Sequence, residues 1–408
     1  MGGGLSGLTA GIALAQAGKD VALVSAGQSM MHFMGGSLDL LGSDPSGNDV
    51  YKPLEAIATL NSKHPYTKIE DVSRLAGVAK QVLERVGLAT TGDTTVNHWR
   101  ITPIGGLMPT WLTVQGMATV ADPDQMPWHS VTLVNIINFL DFPTKMIAAG
   151  LRDRGVQVDV KAVTLPELQV LRQSPTEMRS TNIAKVIERN DLIMRLADEI
   201  NAQVGKGCDM VMLPSVLGIA SGDKASQLLR LINVQAAYLD TLPPTLPGVR
   251  MQAMLRKHFT ALGGTFITGD QVTGGVWEGD ELKGVTTAKL EGDVLEAKHF
   301  VLATGSLASR GIVADYNHMY EPALGVDIDD LGLDRTTWAK LDVTAAQPYM
   351  EVGVATDAKL RCQRNGKTVA NLYAAGSILS GHNSVKLLDG AGVDMLTALQ
   401  VANNILNQ

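Results

Sequence analysis

The run Gly2-Gly3-Gly4-Leu5-Ser6-Gly7 has the spacing G-x-G-x-x-G. The first glycine permits a tight turn, the second lets the backbone approach a pyrophosphate, and the third allows close helix packing; the helix N-terminus behind them then faces the phosphate charge. An ordinary glycine-rich turn could carry the same letters. Here, however, Leu5 to Ala17 reads as a helix rich in Ala, Gly and Leu, Gly18 as its stop, and Val21 to Val24 as a short buried strand. That order is the second half of a β-α-β unit, and it predicts a Rossmann-type nucleotide-binding domain. Only Met1 stands where the first strand of such a unit belongs. Central parallel strands hydrogen-bond on both edges, so the pattern predicts an amino terminus that lacks its first strand.

At 408 residues the chain exceeds one typical core, which predicts two lobes or a domain carrying an insertion. Residues 51 to 100 read as polar and helical around Val72 to Val86, with breaks at Pro65 and Gly92. From Ser130 an alternation sets in: an apolar run Val131 to Ile137, a helix Lys145 to Arg154, a strand Val156 to Val163, and a helix Ile183 to Val204. An apolar run Asp209 to Leu213, a helix Lys224 to Leu231 and a strand Ala236 to Leu239 complete it. Strands separated by helix-length segments predict a parallel α/β lobe. Leu242 to Pro247 then reads as a stiff proline-rich connector and Val249 to Ala261 as a helix ended by Gly263-Gly264. Three β-type runs follow around Phe266, Val285 and Phe300, with turns at Glu278-Gly279-Asp280 and Glu291-Gly292-Asp293. The expected organisation is a discontinuous nucleotide-binding domain, residues 1–100 and 243–408, around an inserted α/β lobe, 101–242.

Charge and cysteine usage remove several classes. The net charge of −7 and the absence of a basic run give no nucleic-acid footprint. The two cysteines, Cys208 and Cys362, are far apart with no Cys-x-x-Cys, so this chain alone builds neither a zinc site nor an iron–sulfur cluster. The apolar start lacks a basic n-region, and Gly18-Lys19-Asp20 interrupts it before it could span a bilayer. A cytoplasmic protein is expected, with membrane docking left to another subunit.

The ribose position at the end of the second strand holds Ser25, followed by Ala26 and Gly27, where an acid is usual. Two readings stay open: a dinucleotide held by Ser25 and Gln28, or a mononucleotide flavin that needs no adenosine-ribose clamp. Met34-Gly35-Gly36-Ser37 offers a second place where a flavin or its phosphates could approach the backbone. Ala303-Thr304-Gly305 after a strand, and Asn371-Leu372-Tyr373-Ala374-Ala375-Gly376-Ser377, resemble the two return motifs of flavoprotein Rossmann domains. The second motif usually ends Gly-Asp, and Ser377 stands in for the acid.

Further runs carry a closer resemblance. Gly27-Gln28-Ser29, Gly36 to Leu41, His64-Pro65-Tyr66, Thr102 to Gly105 and Thr110-Trp111-Leu112 are similar to the B subunit of anaerobic, quinone-linked glycerol-3-phosphate dehydrogenases. So are Leu165 to Leu168, Thr176-Glu177-Met178-Arg179, Asn182-Ile183-Ala184, Leu242-Pro243-Pro244 and Gln347-Pro348, which together span nearly the whole chain. The chain departs from that family in its glycine-rich C-terminal run, which appears only as Asp389-Gly390-Ala391-Gly392-Val393. The resemblance implies a flavoprotein subunit with FMN, or alternatively FAD, beside a catalytic A subunit and a membrane-anchoring iron–sulfur C subunit. It further implies oxidation of sn-glycerol 3-phosphate to dihydroxyacetone phosphate with electrons passed to quinone, at the cytoplasmic face of the inner membrane.

Such chemistry needs a base for the hydroxyl proton, a hydride path to the flavin, and cations for the substrate phosphate. His382 and His32 are the candidate bases, with His64 a third loop histidine, and Arg310 and Arg250 the candidate cations, with Arg100 and Arg179 beside similar motifs. Two other functions are compatible with the same residues. One is a non-catalytic assembly or electron-relay subunit whose flavin site has decayed, suggested by Ser25 and Ser377. The other is a free-standing, fumarate-reductase-like flavin dehydrogenase.

Overall fold

The structure, a computed structural model, describes residues 1–173, 177–290 and 292–408. Thr176, in one of the motifs above, and Glu291, in an expected turn, lie outside the described residues. The chain forms two compact units, one of residues 1–30, 39–82 and 255–408, the other of residues 31–38 and 83–254.

In the first unit the strand Ala22–Ser25 pairs in parallel with Thr265–Thr268, and Phe300–Leu302 pairs in parallel with Lys367–Ala374. Met1 and Gly2 occupy the position between these pairs. The Met1 amino group donates to Val301 O at 2.8 Å, Ala303 N donates to Met1 O at 2.8 Å, and Gly2 N donates to Val24 O at 2.9 Å. Thus the turn residues, the end of Ala22–Ser25 and the ends of Phe300–Leu302 and Lys367–Ala374 share one edge, the carboxyl edge where α/β sheets bind ligands. Two helices rise behind it, the first helix Leu5–Gln16 and the last helix Gly390–Leu406, which pack on each other. Most residues of both are buried, including Leu8, Ile12, Val393, Leu396 and Val401, as expected of helices with wide apolar faces. The expected turn Glu278-Gly279-Asp280 joins the antiparallel strands Val272–Glu278 and Glu281–Thr287, with Gly279 at φ +59°.

The second unit holds the parallel lobe. Its four strands lie in the order Ala236–Leu239, Met210–Pro214, Ser130–Ile136, Gln157–Val163, all parallel. Met210–Pro214 is buried along its whole length, so its apolar run reflects two covered faces. The core beneath contains Trp99, Phe139, Phe142, Ile147, Ile183, Ile193 and Leu228. One expected helix is two: Ser180–Arg189 and Ile193–Gln203 are separated at Asn190-Asp191, where Asp191 takes φ +50°. A second correction concerns the connector, because Leu246 and Pro247 already belong to the helix Leu246–Ala261. Proline fits there because first-turn amides need no intrahelical partner. No periodicity announces the short antiparallel strands His98–Ile101, Leu107–Thr110 and Leu112–Val114, which also belong to this unit.

Candidate functional site

The glycines of the amino-terminal turn are required for different reasons. A Cβ on Gly2, at φ +108°, would lie 2.0 Å from Ala303 O, and one on Gly7 would lie 1.9 Å from Gly2 O. These two are fixed by backbone packed on backbone. Gly4 is different: a Cβ there would meet only Ser29 Cβ, at 3.7 Å, so its side is open. Gly4 is also the N-cap of the first helix and provides no side-chain cap, and the first turn carries no acid. The first-turn amides are therefore left for an anionic ligand, at the positive end of the helix dipole.

The two return motifs converge on this turn. A Cβ on Gly376, at φ +83°, would lie 1.9 Å from Ser6 Oγ and 2.5 Å from Asp394 Oδ1. Asp394, on the last helix, accepts from Ser6 Oγ and from Ser377 N at 2.9 Å each, and Thr397 Oγ1 accepts from Gly376 N at 2.8 Å. One helix thereby clamps both turns. Burial raises the Asp394 carboxyl above its ordinary value, against the donors Ser6 and Ser377. Gly305, at φ +84°, lies beside Ser377, whose Oγ would be 3.8 Å from a Cβ at Gly305. Thr304 Oγ1 is buried without a hydrogen-bond partner among the described residues. Orphaned buried hydroxyls are uncommon, and this one sits at the shared edge. Ser25 is buried, and its Oγ donates to Gly27 O at 3.3 Å while filling the space that a side chain on Gly3 would need. Gln28 is exposed beside it.

The open face at Gly4, the uncapped helix and the orphaned Thr304 hydroxyl fit a flavin's phosphate and ribityl groups. These three segments, Gly2 to Gly7, Thr304-Gly305 and Gly376-Ser377, are brought together by the fold.

The other expected residues have separate surroundings. His382 is in the first unit, buried, with Nδ1 3.3 Å from Asp389 Oδ1. Arg310 is exposed in the same unit, at φ +63° after the turn Leu307–Ser309. Gly35, Gly36 and Ser37 belong to the second unit. The space beside Gly35 is filled by the Asp240 carboxylate, 1.7 Å from where a Cβ would stand, and Gly36 packs on Pro247. Burial pushes Asp240 up to about 7, with Thr241 N–H and Arg100 opposing. Ser37 Oγ is 3.1 Å from Thr113 Oγ1. His32 Nε2 is 2.7 Å from Gln252 Oε1. Arg250 is buried and donates to Leu217 O and Gly218 O at 3.2 and 2.8 Å, fixing the loop after Met210–Pro214. Arg179 Nη1 donates to both Asp141 oxygens, at 2.7 and 2.8 Å.

Comparison with known proteins decides the family. The FAD binding domain model matches residues 1–393. The B subunit of anaerobic glycerol-3-phosphate dehydrogenase from Yersinia enterocolitica is 39% identical over all of this chain and 97% of its own length. The same subunit from Pectobacterium carotovorum is 36% identical, covering 100% and 98%. The chain belongs to the family of anaerobic glycerol-3-phosphate dehydrogenase B subunits. This chain has the flavin-binding α/β fold and is a flavin-dependent dehydrogenase of that type, as its motifs implied. Among solved structures, 3-ketosteroid Δ1-dehydrogenase from Sterolibacterium denitrificans matches with TM-score 0.41 and 12% identity over 100% of this chain and 98% of that one. Among the described residues no helix is long and apolar enough to cross a membrane.

Proposed function

We propose that this chain is the flavin-carrying B subunit of an enzyme that oxidises sn-glycerol 3-phosphate to dihydroxyacetone phosphate, with electrons passed through partner chains to quinone. The reading is carried by one observation: two turns of a flavin-type site are clamped together by the last helix, with Thr304-Gly305 beside the second of them, in a chain 39% identical to such a B subunit along its length. Gly4 would admit the phosphates at a turn that Gly2 and Gly7 shape, Ser25 and Gln28 would lie at the ribose end, and Thr304, Gly305, Gly376 and Ser377 on the ribityl side. The flavin supplies the acceptor for the hydride leaving the alcohol carbon. The chain supplies a proton acceptor, His382, and an exposed cation for the substrate phosphate, Arg310. Arg250 and His32, bonded within the second unit, serve its loops.

FAD is the cofactor that this geometry favours, because an open Gly4 ahead of an uncapped helix suits a pyrophosphate. The missing acid at Ser25 favours FMN as the second reading. The partners are the A subunit and an iron–sulfur C subunit that holds the complex on the cytoplasmic face of the inner membrane. Mass analysis of flavin extracted from the purified complex distinguishes FAD from FMN. Stopped-flow mixing with glycerol 3-phosphate tests the substrate: bleaching of a flavin carried by this chain supports the reading, and a colourless folded chain defeats it. A flavin that is reduced only when the A subunit is present assigns this chain to electron relay.

A further inference from the structure

A buried cluster lies beside the flavin-type turns without forming part of them. His64 Nε2 is 2.8 Å from Asp389 Oδ2, and His382 Nδ1 is 3.3 Å from Asp389 Oδ1. The side chains of His64 and Asp389 are fully buried, and that of His382 is 3% exposed. The two rings meet edge-on, with centroids 5.9 Å apart.

The hydrogen bonds fix the protons. His64 Nδ1 accepts from Tyr66 N at 3.2 Å, so its proton is on Nε2 and is donated to Asp389. Asp389 then has one oxygen left for His382, which must present Nδ1–H to it. That leaves His382 Nε2 with a free lone pair, and among the described residues it makes no hydrogen bond. Asp389 immediately precedes the last helix, and Asp394, five residues further, holds Ser6 and Ser377. Five residues advance a helix by about 8 Å. The carboxylate that orients His382 and the one that clamps the flavin-type turns are thus about one and a half turns apart on one helix.

We propose that Asp389 is a positioning residue, anchored by His64, that holds His382 with Nε2 available as the base for the substrate hydroxyl. The assignment rests on the dehydrogenase reading above. In the step, the O–H bond breaks and its proton passes to His382 Nε2. The O–H electron pair forms the second C–O bond, and the C–H pair leaves as hydride to the flavin, the oxidant of the reaction. The imidazolium formed faces the Asp389 carboxylate, which stabilises it.

The groups facing His382 are Asp389 just ahead of the last helix, Asp394 on it, Glu351 of the turn Pro348–Glu351, and His64. Burial alone would lower its basicity, but the three carboxylates outweigh this and raise it above 6.5. Reduction of the flavin should therefore slow in acid, as His382 becomes protonated.

The test uses the full complex and Asp389→Asn. Reduction of the flavin by glycerol 3-phosphate should slow about a hundredfold, with KM little changed and the acid limb shifted to lower pH. Asp389→Glu should recover part of the rate. An acid limb that does not move, or a His382→Gln enzyme with the wild-type rate, overturns the proposal. A second measurement needs no turnover. In the full-length wild-type chain with labelled histidines, the 15N shifts of His382, assigned by their loss in His382→Gln, should show Nδ1–H and a titration above 6.5. A His382 protonated on Nε2 alone overturns the proposal even where Asp389→Asn does not fold. If wild-type flavin is not reduced by glycerol 3-phosphate, the substrate reading fails, while the tautomer and titration still decide whether Asp389 orients His382.

Discussion

A methyl group added at Gly4 and one added at Gly376 would act through different physics. Gly4 has φ −85° and ψ −169°, which any residue adopts, and its Cβ meets only Ser29 at 3.7 Å. Gly4→Ala should fold with unchanged stability yet lose at least about tenfold in flavin affinity, ~1.4 kcal/mol, because the methyl group occupies the phosphate approach. Gly376 is at φ +83° and packs on Ser6 Oγ, so Gly376→Ala should cost about 1–3 kcal/mol of stability as well as flavin. Flavin titration and urea unfolding of the two variants separate these effects. Thr304→Val removes the orphaned hydroxyl and should leave apo stability within about 1 kcal/mol while weakening flavin binding. Such positions were legible because backbone geometry restricts which residues can occupy them. Asp394 was not singled out, and His64 and Asp389 were named without being paired, since the partners lie 325 and 388 positions apart in two of the decisive bonds. The available signal was the run Asp389 to Asp394, two acids bracketing a glycine-rich helix start. Their charges set a pH dependence. The raised His382 contributes stability fully below pH 6.5 and loses it as pH climbs through its folded value. The depressed Asp389 contributes above 3.8 and loses it in acid. The stability gap between wild type and Asp389→Asn, about 3–5 kcal/mol at its widest, should peak between these values in pH-dependent melts and narrow on either side.

Among elements, glycines inside helices have opposite consequences according to what faces them. On the first helix, Gly11 faces Phe259, whose Cε2 would be 3.0 Å from a Cβ, and the ring is fully buried. Gly11→Val should cost about 1–3 kcal/mol by forcing that ring aside. On the helix Val72–Arg85, Gly77 is exposed with nothing within 4 Å of a Cβ. Gly77→Ala should therefore gain about 0.8–1 kcal/mol, the intrinsic difference in helix propensity. Urea midpoints of the two variants should move in opposite directions. The long apolar elements were legible, because continuous apolar runs and burial agree in Leu5–Gln16, Met210–Pro214 and Ser130–Ile136. The interruption at Asp191 was not, since apolar spacing continues on both sides of it. Strands of two to four residues such as Ser37-Leu38 and Leu112–Val114 are too short to show an alternation.

At the level of the whole molecule, discontinuity was readable from the motifs. Gly2 to Gly7, Thr304-Gly305 and Gly376-Ser377 can serve one cofactor only if chain ends fold together. Where the units divide was less readable, because residues 31–38 join the second unit through pairing of Ser37-Leu38 with Leu112-Thr113, more than 70 positions on. Each unit has its own buried core, one around Val354, Leu372 and Ala398, the other around Trp99, Val211 and Ile183. A ligand held by the first unit should stabilise that unit by mass action, about 4 kcal/mol at a thousandfold excess over Kd. Hydrogen exchange with and without flavin measures this. Protection should rise in Ala22–Ser25, Phe300–Leu302 and the last helix, whose backbones carry the clamped turns. Exchange in Ser130–Ile136 and Met210–Pro214, strands of the other core, should stay as it is without flavin. Equal protection in both sets of strands would mean that the flavin is held by more than the three turns, and would remove the basis for assigning it to the first unit.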